Sequence, residues 1–121
     1  MCDSILEEIP DPDPRTLSFR LRKDLVFTTA KAFRSTVIDR LTDIDCLKID
    51  FAQARFLDSS GLGVLTQTLQ QLRAAGGRMV IQNPNSAIVK TLEITRVAQL
   101  VEIQLAAGAD RPEGLEDGGG A

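Results

Sequence analysis

Asp58, Ser59, Ser60 and Gly61 stand in a row, with Leu62 and Gly63 behind them, inside the run F-L-D-S-S-G-L-G-V-L that spans 56–65. A carboxylate beside two hydroxyls can accept a transferred group, cap a helix or hold a partner. Their place in the chain narrows the choice. A strand-like stretch ends just before them, and Leu62, Leu65, Leu69 and Leu72 recur after them at helical spacing, so the polar triplet falls on a strand-to-helix corner. A helix start offers unpaired N–H groups and a partial positive charge, and an oxygen or a phosphate is electrostatically favoured there. Ser59 and Ser60 are both placed to cap this helix, with Asp58 as an alternative cap or a polar handle for a partner. Gly61 and Gly63 each cost on the order of 1 kcal/mol of helix propensity compared with alanine. Something must therefore come close, either a partner's surface or the neighbouring strand. From the residues alone, a capped helix packed tightly on its sheet and a docking site both stay open.

Catalysis by the chain itself finds little support. There is no histidine, which removes the commonest general base and metal ligand. A nucleophile elbow needs G-x-S-x-G and a histidine partner. A dinucleotide fingerprint would need a third glycine at 66, where this chain has Thr66, and no Walker sequence is present. Cys2 and Cys46 lie in unlike contexts and suggest neither a disulfide framework nor a zinc site; Cys46 reads as a small core hydrophobe. No enzyme activity, cofactor or metal site is expected.

The 121 residues, 43% hydrophobic and 26% charged, suit one soluble domain with an aliphatic core, since five phenylalanines are the only aromatics. No apolar run approaches the roughly 20 residues of a membrane helix, and the N-terminus lacks the basic flank and apolar stretch of a signal peptide. No membrane insertion and a cytoplasmic location are expected. Charge is uneven: residues 1–15 carry five acids and one arginine, residues 110–121 four acids and one arginine, and the body between them twelve bases and eight acids. The bases are scattered, with no aromatics interleaved, so nucleic-acid binding is not expected.

Around the corner the elements read as follows. Residues 1–15 end in P-D-P-D-P and are expected to form a flexible acidic tail. Thr16 to Arg22 alternates as a half-buried strand, and Leu25 to Phe27 is a candidate second short strand after a turn. Thr28 or Thr29 can cap a helix through Ala30, Phe33, Val37, Ile38 and Leu41. Cys46 to Phe51 is a strand whose Lys48 and Asp50 argue for a sheet covered mainly on one side. The helix after the corner runs to about Ala75, where Gly76 and Gly77 stop it. Arg78 to Gln82 is a strand, Ser86 can cap a helix to about Thr95, and Leu100 to Leu105 closes as a strand. The fold class is α/β, with a mixed, mostly parallel sheet of about five strands in the order β-β-α-β-α-β-α-β. The domain is expected over 16–105, with a second flexible acidic and glycine-rich tail over 106–121.

The run from Phe56 to Leu65 resembles the signature of STAS domains, specifically the bacterial anti-sigma factor antagonists, in which D-S-[ST]-G-L-G opens a helix. The similarity extends to Gly76, Gly77 and the strand after them, to the segment from Asn83 to Glu93, and to a closing strand, so it spans roughly Leu17 to Leu105. It implies a STAS-like single domain and a partner-switching role. On that resemblance Ser59 is the phosphoacceptor and Ser60 a weaker candidate or a cap. Asp58, Ser60, Gly61, Leu62 and Gly63 would meet the partner. The implied partners are an anti-sigma factor that is also a serine kinase of the histidine-kinase-like ATPase type, and a metal-dependent serine phosphatase; the chain itself would be a monomer or weak dimer. Two readings of other kinds stay open: a non-switching subunit of a larger assembly, such as a lipid-transport ATPase complex or a stressosome-like particle, and a small-ligand or nucleotide-binding module.

Overall fold

In a computed structural model, which describes residues 5–105, one five-stranded sheet carries three helices. Strand β1 (Leu6–Ile9) runs antiparallel to β2 (Thr16–Leu21), and β3 (Cys46–Asp50), β4 (Arg78–Gln82) and β5 (Glu102–Gln104) follow in parallel, in spatial order one to five. Helix α1 (Phe27–Val37) joins β2 to β3, α2 (Ser59–Ala74) joins β3 to β4, and α3 (Ser86–Ile94) joins β4 to β5. A 3-10 turn follows α1 at Ile38–Asp43 and another follows α3 at Val97–Gln99.

The register explains the core. Phe19, Ile49, Ile81 and Ile103 lie in one row across β2 to β5, with Leu17, Leu47 and Met79 in the row below. These residues meet Phe33, Val37, Leu65, Leu69, Leu72, Ile88 and Leu92 from the helices in one cluster. The intervening positions, among them Ser18, Arg20, Lys48, Asp50 and Glu102, belong to the other face. That alternation is what a sheet covered by helices on one side requires. Cys46 is buried, and burial pushes its thiol pKa up, in keeping with a packing role. Gly76, at φ +86°, takes the left-handed turn that ends α2, and the Gly77 N–H then donates to the Leu72 carbonyl at 2.8 Å.

The predicted element order is found, but its first two strands are not the ones expected. The opening pair is β1 with β2, and the expected flexible tail through residue 15 is corrected by strand β1, with Ile5 and Leu6 buried. The reason is local. Leu-Glu-Glu-Ile buries only one residue fully, so strand alternation is hardly visible, and the prolines close a turn in place of loosening a tail. Within that turn Asp11 accepts the Asp13 N–H and Asp13 the Arg15 N–H, both at 2.9 Å. The short strand expected at Leu25 to Phe27 is reduced to one parallel bridge between Leu25 and Leu57, because α1 already begins at Phe27. The last strand is shorter than expected, Glu102–Gln104, since Leu100 belongs to the turn before it. The tail expected over 106–121 lies outside the described residues.

Candidate functional site

All three helices begin at the edge of the sheet where β2, β3 and β4 end, and the Asp58 corner occupies the middle of that edge. Its backbone is held from the side: the Leu25 N–H donates to the Phe56 carbonyl at 3.2 Å, and the Asp58 N–H to the Leu25 carbonyl at 3.4 Å. This pairing continues the Leu25–Leu57 bridge and turns both leucines into the core.

Asp58, and neither serine, caps α2. With extended backbone (φ −96°, ψ −174°), it uses Oδ1 to accept the Gly61 N–H at 2.8 Å. Its other oxygen, Oδ2, accepts the Phe27 N–H at 3.1 Å, at the first residue of α1. One carboxylate thus ties the starts of two helices together. The Gly61 N–H is the main cause that holds the Asp58 carboxyl below the ordinary carboxylate range; partial burial works against it, and the Phe27 N–H adds to it. Of the caps open in the sequence, the structure thus takes the alternative, Asp58, over Ser59 and Ser60. A carboxylate carries full charge to the helix terminus and has two oxygens, which a hydroxyl cannot match at a junction of two helices.

With the cap supplied by Asp58, Ser59 and Ser60 are the first two residues of α2. Ser59 is exposed, Ser60 is partly covered, and among the described residues neither hydroxyl makes a hydrogen bond within the chain. The two glycines differ. A Cβ on Gly61 would lie 1.9 Å from the Leu25 carbonyl oxygen, so Gly61 is required by the close approach of α2 to the Leu25 segment. A Cβ on Gly63 would meet nothing within 4 Å, and Gly63 is open to solvent. Leu62 is half-buried and packs against the core. Of the six residues read from the sequence, Ser59 and Gly63 therefore face outward, Asp58 and Gly61 build the corner, and Ser60 and Leu62 lie between.

Two residues missed in the sequence complete the surface. Phe27 is 77% exposed and Phe56 56% exposed, beside Asp58 and Ser59. Leu57 turns inward and Phe56 outward, an alternation present in F-L-D, while Phe27 was obscured by its assignment to a strand. The starts of α1 and α3 also depart from the caps expected of them. The Thr29 hydroxyl accepts the Val26 N–H at 2.9 Å, one turn inside α1, so the helix begins before the threonines expected to cap it. Asn85, and not Ser86, caps α3 by accepting the Ile88 N–H at 2.9 Å, and its amide donates to the Arg55 carbonyl at 3.0 Å. Among the described residues no group of His, Cys, Asp or Glu could hold a metal ion, and no helix is long and apolar enough to cross a membrane.

Comparison with known proteins supplies the family. An anti-sigma-B factor antagonist of Listeria monocytogenes is 24% identical over 82 residues, 68% of this chain and 72% of that one. The anti-sigma-B factor antagonist of Bacillus subtilis is 26% identical over 57 residues, 47% of this chain and 52% of that one. The fold is similar to that of the anti-sigma factor antagonist SpoIIAA in its unphosphorylated form, with a TM-score of 0.71 at 19% identity over 84% of this chain and 87% of that one. The phosphorylated form of SpoIIAA from Bacillus gives 0.68, also at 19% identity, over 84% and 90%. The STAS domain family model matches residues 7–108, which takes in all of strand β1 but Leu6, and the chain belongs to the STAS domain family.

Proposed function

We propose that this chain is an anti-sigma factor antagonist that acts by partner switching in the cytoplasm and carries out no catalysis of its own. With Ser59 unmodified it binds an anti-sigma factor, which is also a serine kinase of the histidine-kinase-like ATPase type, and so releases a sigma factor. The kinase moves the γ-phosphoryl group of ATP to the Ser59 oxygen; the hydroxyl proton leaves, and ADP is the other product. The complex then separates, and a metal-dependent serine phosphatase hydrolyses the ester and resets the switch. The observation that carries this reading is the exposed Ser59 hydroxyl, without a hydrogen-bond partner among the described residues, on the first residue of a helix already capped by Asp58. The names of the relatives, and the existence of SpoIIAA in phosphorylated and unphosphorylated forms, support it.

Because Asp58 holds the cap, the serine is spare, and its modification removes no bond that the fold uses. A phosphate adds about −1.5 to −2 charges beside the Asp58 carboxylate, and the α2 start offsets part of that within the monomer. In an interface the same charge costs several kcal/mol unless cations meet it. Incubating the purified chain with candidate kinases and ATP, then mapping phosphate by mass spectrometry, tests the reading. Modification at Ser59 is expected; none, or modification elsewhere, sinks it. Ser59→Asp should weaken binding to the kinase with little change in folding stability, and Ser59→Ala should bind without being released.

A further inference from the structure

The surface around Ser59 is neither neutral nor purely polar. Phe27 and Phe56 are both exposed, and they lie on the two segments joined by the Leu25–Leu57 bridge, Phe56 just before Leu57 and Phe27 two residues after Leu25, where its N–H reaches Asp58. Along α1, Phe27, Lys31 and Arg34 follow at helical spacing and are all exposed. Arg22 and Lys23 lead into the bridge from one side and Arg55 from the other. Among the described residues none of these five cations enters an ion pair. The acids of the same edge are occupied from within: Asp24 accepts the Arg55 N–H at 2.8 Å, and Asp58 accepts from Gly61 and Phe27. Two aromatic side chains therefore stand among unmet positive charges, with the open site of Gly63 beside them.

We infer that this edge docks a protein segment that inserts apolar side chains against Phe27 and Phe56 and lines its rim with aspartate and glutamate. The inference deepens the antagonist reading and rests on it for the partner's role. Its argument is charge complementarity around aromatic anchors, which are enriched among the residues that dominate binding energy. It also gives the switch its direction. An acidic rim is drawn to the unmodified edge by the five cations, and a phosphate on Ser59 places about two negative charges against that rim.

The test needs no kinase, so its failure and that of the phosphorylation reading can be told apart. The full chain is used to select binders from a random linear peptide library, and the enriched peptides are made synthetically and titrated by fluorescence anisotropy. The expected peptides combine Leu or aromatic residues with Asp and Glu, and bind more weakly as salt is raised. Phe27→Ala and Phe56→Ala should each weaken them about tenfold or more, as should Ser59→Asp, while Ile94→Ala, at an exposed apolar residue outside this edge, leaves them unchanged. Both phenylalanines are exposed, so the variants keep the fold, and urea midpoints verify this. Failure to enrich any peptide, enrichment of basic peptides, or indifference to both phenylalanine variants would overturn the inference. So would Phe27-dependent sedimentation with phosphatidylserine vesicles, which would make a lipid surface the occupant, or a dimer in ultracentrifugation that Phe27→Ala dissolves.

Discussion

The Ser59 edge and the face of the sheet turned away from the helices both carry charged side chains, yet they treat charge in opposite ways. On that face Arg20 lies 3.2 Å from Glu7 and 3.9 Å from Asp50, Lys48 is 3.7 Å from Asp11, and Arg78 is 2.9 Å from Glu102. Side chains there satisfy one another across neighbouring strands, with Asp11 reaching in from the turn between β1 and β2. At the Ser59 edge the carboxylates satisfy backbone N–H groups, and the cations, the aromatics and the Ser59 hydroxyl are left over. Selection for stability alone would fill the second surface as it fills the first. The lesson is that the edge is finished internally at the backbone and unfinished at the side chains, which is how a surface looks when another molecule completes it.

The largest effect should come from breaking the edge at its backbone. Gly61→Ala gains about 1 kcal/mol of helix propensity but forces its methyl group into the Leu25 carbonyl, 1.9 Å away, which is backbone and cannot swing aside. A net loss of about 2 kcal/mol in urea unfolding is expected. A neutral outcome would mean that the Leu25 segment is free to move and that its approach does not require a glycine at 61.

Asp58 gives a smaller effect with a defined pH dependence. Its carboxyl is held low in the folded chain, so the stabilisation it brings is present above its unfolded pKa and is lost as pH falls through the folded one. Asp58→Ala should lower the urea midpoint at neutral pH, and the gap between variant and parent should close as the pH is brought down past the carboxylate range. Asp58→Asn should fall between them, since an amide oxygen can still accept the Gly61 N–H while its NH₂ group cannot accept the Phe27 N–H. A gap that persists in acid would show that the charge is not what ties the two helices.

Where these effects concentrate also shows what was legible in the residues. The leucine stripe of α2, the alternation of β2 and the Gly76–Gly77 stop are local patterns, and they were enough to place that helix, that strand and the helix's end. The cap of α2 was ambiguous because Asp58, Ser59 and Ser60 are all good caps; only the Phe27 N–H, thirty-one positions away, decides for the group with two acceptors. Gly61 and Gly63 look alike in sequence and differ only in whether the Leu25 carbonyl stands opposite. Strand β1 hid because an edge strand with one buried residue and two glutamates carries almost no period. Phe27 hid because an exposed aromatic reads as core until its helix start is known.

Gly63 separates the two glycines further. With nothing within 4 Å of an added Cβ, Gly63→Ala should stabilise the chain by about 0.5–1 kcal/mol in urea unfolding, the opposite sign to Gly61→Ala. If the edge receives a protein segment, the same methyl group should weaken the selected peptides while it strengthens the fold. Stability gained with no effect on those peptides would place the docked segment to one side of Gly63.

The smallest expected effects compare a spent cation with a spare one. Arg78→Ala removes an ion pair whose side chains are 65% and 50% exposed, a geometry in which such pairs contribute about 0.2–1 kcal/mol, and it should lower stability within that range and leave peptide binding unchanged. Arg34→Ala, on α1 and in no ion pair among the described residues, should leave the urea midpoint where it is and weaken the acidic peptides, more at low salt than at high. The two substitutions remove the same charge from the same chain. Should they act alike in both measurements, net charge alone would account for binding, and the difference between the two surfaces would carry no functional meaning.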